Sequence, residues 1–289
     1  MMQQPLPDHH LWLVDSHVHL YGCFNPGELL TAAHTNLCGQ ARRLDREGRF
    51  EGLLLLTETQ VDEGFERLRE RVGQNADPEH PRWRGWQFSA TSDARLLLAE
   101  RGADRLWLVA GRQIVTAEKL EVLALITDTR FADGLSLPQT LEAIAAADAI
   151  PVLPWGAGKW WGVRGRLLSR LLADHRTGPL FLGDNGGRPD LWRHPRHFRE
   201  ARRHGIRILP GSDPLPLPWE ARRVGTTGFS FTAPPARSVR PADELSRRLR
   251  DPAAPLAPFG GGLASTRFFL NQMALRLGGQ HSTRRLAHP

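Results

Sequence analysis

Val14-Asp15-Ser16-His17-Val18-His19-Leu20 is the segment with the strongest chemical character in the chain. Histidines at i and i+2 on a strand project to the same face, so two imidazoles can address one metal ion. They follow the apolar run Leu11–Asp15, at the C-terminal end of a first strand, which is where barrel enzymes carry their active sites. A second segment, Leu209-Pro210-Gly211-Ser212-Asp213-Pro214, ends a late strand in small residues and a carboxylate. Placed opposite the first strand, Asp213 can complete a metal site or serve as a base. Surface histidines and a plain Gly-Ser-Asp-Pro turn are the alternative readings of the two segments.

Further polar residues fall at other strand ends. Glu58 follows the run Leu53–Leu56, and Asp128 and Arg130 follow Ile126. Asp184-Asn185-Gly186-Gly187-Arg188 follows Leu180–Leu182 and supplies a carboxylate, an amide and a guanidinium, with glycines that admit close backbone approach. Asp184 is a candidate ligand and Arg188 a candidate anion binder. Trp155-Gly156-Ala157-Gly158-Lys159-Trp160-Trp161 lacks the glycine spacing and hydroxyl of a phosphate-binding P-loop. As a loop on a barrel rim it places Lys159 at the site and lets Trp160 and Trp161 wall a pocket.

These residues need a scaffold that gathers strand ends. A helix capped by Asn25 and opened by Pro26 is predicted to run to about Leu44. Leu53–Leu56, Leu106–Ala110 and Ile150–Leu153 are short runs without polar alternation, the form of strands buried on both faces. They are expected as parallel neighbours in one barrel. Phe65–Val72, Asp93–Arg101, Pro138–Ala147, 163–174 and Pro195–His204 read as helices, Trp86–Ala90 as a strand and 73–85 as a loop. Residues 111–126 read either as a helix opening at Thr116 or as a hairpin turning over Thr116–Lys119. Alternation of strands and helices every ~25–35 residues is the pattern of βα units. The expected fold is α/β, a TIM-like (β/α)7-8 barrel over residues 1–233. A Pro/Arg-rich helical appendage over 234–289, with helices at Ala242–Leu249 and Ser265–Leu277, completes it.

The order of motifs resembles the polymerase-and-histidinol-phosphatase (PHP) family of metal-dependent phosphoesterases. His17-Val18-His19, Gly111-Arg112-Gln113-Ile114 with the strand Leu120–Leu125, Leu141–Ala147 with Ile150-Pro151-Val152, and Gly211-Ser212-Asp213 carry the resemblance across residues 11–215. The opening Asp-Ser-His-Val-His-Leu also resembles amidohydrolase and TatD-type barrels. The PHP resemblance implies a divalent metal (Zn, Mn or Mg) and phosphoester hydrolysis. It implies His17, His19 and Asp213 as ligands, with Glu121 and Asp184 as possible fillers; the strand-end and rim positions of Arg188 and Lys159 add them to Asp213 as candidate catalytic residues. The departures are specific. The family's hairpin glutamate falls on Gln113, a histidine on Glu121, its His-Pro on Pro154-Trp155-Gly156, and its last histidine on Leu215. One ion, two or none are all compatible with what survives. A barrel that has lost catalysis and acts as a binding or regulatory protein is the rival reading.

Composition sets the remaining bounds. The net charge is +7, and 36 of 38 basic residues are arginine, since only Lys119 and Lys159 are lysines. Arginine suits oxyanions, but the abundance of Arg, Ala, Gly and Pro with few Lys and Tyr also fits a base-composition origin. Basic residues are interrupted by acids throughout, so the charge is compatible with a small anionic substrate without establishing one, and nucleic acid is not expected. No apolar run approaches the ~18 residues of a membrane span. The start of the chain lacks the form of a signal peptide, and Cys23 and Cys38 are too few for a disulfide framework. A cytoplasmic protein is the expectation.

Overall fold

A computed structural model describes residues 9–46, 50–72, 83–174, 178–190 and 195–285. The loop read over 73–85 falls largely outside them. Strand β1 (His10–Val18) leads through helix α1 (Pro26–Arg43) to β2 (Phe50–Glu58), α2 (Gly64–Val72), β3 (Gln87–Ala90), β4 (Leu96–Arg101) and β5 (Asp104–Val115). Then follow β6 (Glu121–Leu125), α3 (Leu137–Ala146), β7 (Ile150–Pro154), α4 (Gly162–Asp174), β8 (Phe181–Asn185), α5 (Arg196–Arg203) and β9 (Arg207–Gly211). The chain closes with β10 (Gly228–Ala233), α6 (Pro241–Arg250), β11 (Ala257–Phe259) and α7 (Ser265–Arg285).

The sheet order β11-β10-β1-β2-β5-β6-β7-β8-β9 curls into a nearly closed barrel. The seam lies between β1 and β9, where Asp213 N–H donates to the His17 carbonyl (2.8 Å) and Ser16 Oγ donates to the Pro210 carbonyl (2.8 Å). Residues alternate cleanly along the strands. Trp12, Val14, Leu53, Leu55, Trp107, Val109 and Phe181 fill the barrel interior. Leu54, Leu56, Leu106 and Leu108 face outward, under α1 and its neighbours. That double burial is why these strands read as uninterrupted apolar runs. Leu245 and Leu249 of α6 join the interior cluster and plug the barrel at the end opposite the strand termini that carry His17 and Asp213.

Two expectations about the elements are corrected. Leu53–Leu56 and Leu106–Ala110 are parallel neighbours in β2 and β5, but Ile150–Leu153 is separated from them by β6. Strand β6 runs antiparallel to both β5 and β7, so the sheet is mixed and not wholly parallel. The cause is chain length: the turn from Thr116 to Leu120 is closed by Thr116 N–H on the Leu120 carbonyl (2.8 Å), too short for a parallel crossover. Of the two readings of 111–126, the hairpin is the one formed. Asp93–Arg101, expected as a helix, is a turn followed by β4, which pairs antiparallel with β5 through Arg101↔Asp104. Gly102 (φ 58°) and Ala103 form the two-residue hairpin turn that fixes this pairing. Helix α1 begins as expected, with Asn25 Oδ1 accepting from Glu28 N–H (3.1 Å).

Candidate metal centre

Strand β1 would turn His17 away from the barrel if it ran without interruption, because Leu11 and Leu13 face outward and Trp12 and Val14 inward. A bulge intervenes. Asp15 pairs with Leu54 and Val18 with Leu56, so β1 spends three residues where β2 spends two. The phase flips: Val18 now packs on the outer layer, and His17 and His19 point inward at the strand's C-terminal end. Re-aiming side chains beside a functional site is a recurrent use of bulges. Asp15 anchors the distortion. It is fully buried, and its carboxylate accepts from Ser212 N–H (2.8 Å), Gly225 N–H (2.8 Å) and His17 N–H (3.3 Å). Burial outweighs these bonds and pushes its pKa up to about 6.

Strand β9 comes so close to β1 that a Cβ on Gly211 would lie 2.6 Å from the His17 Cβ, so only glycine fits there. The turn then delivers Asp213 at φ 43°, a left-handed conformation that few residues adopt ahead of a proline. Asn185 helps to hold it there. Its Nδ2 donates to Asp213 Oδ2 (2.6 Å) and to the Trp155 carbonyl (2.6 Å). Behind the turn, Arg223 donates to the Ser212 carbonyl (3.2 Å) and to buried Glu220 (2.7 Å).

Three ligand atoms converge. His17 Nε2 and His19 Nε2 lie 3.0 Å apart, and each is 3.5 Å from Asp213 Oδ1. Among the described residues these three form the one group of histidine, cysteine or acidic side chains arranged to hold a metal ion. Ligand atoms around a cation at ~2.0–2.1 Å stand ~3.0–3.4 Å apart in octahedral or tetrahedral coordination, so the triangle has the size of one coordination face. Burial, reinforced by His17, lowers the His19 pKa to about 3, which keeps it in the neutral form that ligates metals. Burial alone would raise the Asp213 pKa, but His17, His19, Lys159 and the Asn185 hydrogen bond hold it below the usual carboxylate value. The donor set therefore presents two imidazole nitrogens and one carboxylate, and it fits a divalent cation.

Tyr21 stacks on His19 (ring centroids 5.0 Å, interplanar angle 24°), and Phe24 meets Tyr21 edge-on. Sequence reasoning passed over Tyr21, the chain's single tyrosine. It lies two residues beyond His19, one further step of the same alternation. Lys159 forms an ion pair with Glu121. Its charge reaches the centre, lowering the pKa values of both His19 and Asp213. Glu121 therefore faces an ammonium group near the cluster and is not one of the three grouped ligands.

Asp184 and Arg188 are directed elsewhere. They form a two-pronged ion pair, Nε to Oδ1 and Nη2 to Oδ2, each at 2.8 Å. Phe181 points into the barrel, so alternation turns Asn185 inward and Asp184 outward. Asn185, the amide in that segment, is the residue that reaches the centre. Glu58 is likewise turned outward and binds Arg112 (2.5 Å), which also reaches Glu66 (3.4 Å). Gln113 lines a recess of 300 Å³ beside Glu58 and Arg112.

Asn185→Ala would release one oxygen of the Asp213 carboxylate. Removing such an outer partner costs ~10–100-fold in metal affinity. Calorimetric titration of the variant with Zn²⁺ is expected to show that loss with the fold retained and only a modest fall in Tm; undiminished affinity would show that the amide does not position Asp213.

Fold and site together define a mixed α/β protein with a nearly closed barrel and a potential divalent-metal site at one rim. No protein-family model matches the chain, and no curated protein is significantly similar to it. Among solved structures it is similar to PsfC from Pseudomonas syringae PB-5123, at 16% identity and a TM-score of 0.54, over 93% of this chain and 99% of that one. It also matches the lesion-specific endonuclease PfuEndoQ from Pyrococcus furiosus, at 11% identity and a TM-score of 0.47, over 86% of this chain and 57% of that one. The likeness to PsfC is one of fold. The expectation that sets nucleic acid aside as a partner stands against this match to a lesion-specific endonuclease. Among the described residues no helix is long and apolar enough to cross a membrane.

Proposed function

We propose that this protein is a metal-dependent hydrolase of phosphoesters working with one divalent cation held by His17, His19 and Asp213. The observation that carries the reading is the triangle of ligand atoms, 3.0, 3.5 and 3.5 Å on its sides, at the rim where a barrel carries chemistry. When bound, such a cation supplies Lewis acidity, polarising a phosphoryl oxygen and making water a stronger acid. Two imidazoles and one carboxylate suit Zn²⁺ or Mn²⁺ better than Mg²⁺, which favours oxygen ligands.

The chain's own groups divide the remaining work. Asp213 offers Oδ1 to the ion while Asn185 fixes Oδ2, so the carboxylate keeps one orientation through the reaction. Lys159 brings positive charge to the same rim and is placed to stabilise charge building on phosphoryl oxygens. Tyr21, stacked on His19, covers one side of the ligand set. Incubation of the purified protein with Zn²⁺ or Mn²⁺ and bis(p-nitrophenyl) phosphate tests the reading. Turnover that chelator abolishes supports it, and its absence under every metal tested contradicts it.

A binding or regulatory barrel is the second reading, and the Lys159–Glu121 pair favours it. A lysine ammonium there opposes a further cation, and Glu121 is engaged by it. Lys159→Met separates the two. Loss of the ammonium removes repulsion from an incoming cation and frees Glu121, so metal is expected to bind severalfold more tightly. In a hydrolase the same change lowers kcat. In a binding protein it raises affinity alone. Paired calorimetry and kinetics on the variant read both effects.

A further inference from the structure

The loop that carries Lys159 has a second side. A cleft of 720 Å³ lies between the first turns of α4 and α5, both of which start at the rim that holds the metal centre. Three indoles, Trp155, Trp160 and Trp161, and three guanidinium groups, Arg166, Arg170 and Arg196, contribute to its lining, and among the described residues no carboxylate does. Trp160 is buried and held edge-on by His197 (5.6 Å) and Phe198 (5.7 Å), which makes it a fixed wall. Trp161 is 62% exposed, a large indole kept at the surface. Arg164 fastens the loop by donating to the Gly158 carbonyl (3.1 Å).

The cleft gathers, beside its indoles, three arginines that lack a carboxylate partner among the described residues. Arg95, Arg112, Arg188 and Arg223 are each matched by a carboxylate. Arg166, Arg170 and Arg196 are exposed, and none makes an ion pair among the described residues. Unmatched guanidinium groups bind phosphate oxygens through paired N–H donors, and an exposed indole beside them offers a face on which a flat base stacks. The backbone links the cleft to the metal centre: the carbonyl of Trp155 accepts from Asn185, which also holds Asp213.

We infer that this cleft binds single-stranded nucleic acid, with Arg166, Arg170 and Arg196 on successive phosphates and Trp161 stacked on a base. A single strand matches the lining because it alternates anionic phosphates with accessible aromatic faces. This inference goes beyond the hydrolase reading and does not depend on it.

Fluorescence anisotropy of a labelled oligothymidylate, with the full chain in EDTA so that metal chemistry plays no part, tests it. Wild-type protein is expected to bind. Trp161→Ala is expected to weaken binding about tenfold, the scale of one base–aromatic stack. Arg166→Ala/Arg170→Ala is expected to weaken it further and to flatten the log–log salt dependence by about 1.4, or ~0.7 per phosphate contact. All three side chains are exposed, so the variants should fold, and near-ultraviolet circular dichroism verifies that they do. No binding, or binding that these substitutions leave unchanged, overturns the inference. So does polyglutamate binding as tightly as the oligonucleotide, or thymidine monophosphate competing as well as the polymer. Oligonucleotide binding in EDTA by a protein that fails to turn over bis(p-nitrophenyl) phosphate with added metal would retain the cleft and remove the hydrolase.

Discussion

A His17→Ala variant is expected to bind Zn²⁺ or Mn²⁺ more than a hundredfold more weakly than the parent chain and to lose chelator-sensitive turnover with it. Loss of a hydrogen-bond partner to a metal ligand already costs ~10–100-fold, and His17 supplies one corner of a three-atom set. The fold should survive. The removed ring has two polar contacts, to His19 Nε2 (3.0 Å) and to Asp213 Oδ1 (3.5 Å), and Asp213 keeps its Asn185 partner. Leaving the His19 nitrogen without this partner in a buried place costs ~1–3 kcal/mol, which for a chain of this size lowers Tm by less than about 10 °C. Competition against a chromophoric chelator gives the affinity, and a thermal melt gives the control. A variant that melts normally and binds metal undiminished would remove His17 from the centre.

The second large effect lies at the opposite end of the barrel. Glu51 is buried and bonded three ways: Oε2 accepts from the Trp107 indole (3.2 Å), and Oε1 accepts from Ala236 N–H (3.1 Å) and faces His10 Nδ1 (3.2 Å). It joins β2, β5 and the segment leading to α6 around the base of the barrel. Glu51→Leu leaves the indole and amide donors unsatisfied in a closed space, each costing ~1–3 kcal/mol. The sum is about 2–6 kcal/mol, or a fall of ~10 °C in Tm. Metal affinity should be nearly unchanged, since the site sits at the other end of the strands. Glu51→Gln keeps an acceptor oxygen and should lose less. Equal melting temperatures for all three proteins would show that Glu51 does not hold the base together.

The legible parts of the sequence were those governed by periodicity and local chemistry. Leu53–Leu56 and Leu106–Ala110 announced buried strands because both of their faces are covered. Asn25 and Pro26 announced a helix start because capping is a local act. The His17–His19 pair and Asp213 were visible as types and spacing. What brings them together was not: the bulge after Asp15 has no composition signature, yet it decides whether two histidines face helix or barrel. Strand phase also separated Asn185 from Asp184. The sequence offered both, and the more ligand-like of them faces outward to Arg188. Glu121 and Lys159, distant in the chain, neutralise each other in a pairing that depends on β6 being antiparallel. Helix α6 gave no sign that its leucines enter the barrel, because its amphipathic stripe fits any apolar surface.

The most direct measurement is anomalous diffraction at the zinc or manganese edge from crystals grown with that metal. One peak bonded to His17 Nε2, His19 Nε2 and Asp213 Oδ1 is expected, with the Asn185 amide still on the second oxygen of Asp213. The account is contradicted by crystals whose anomalous maps place the ion away from this triangle, or show none there at saturating metal.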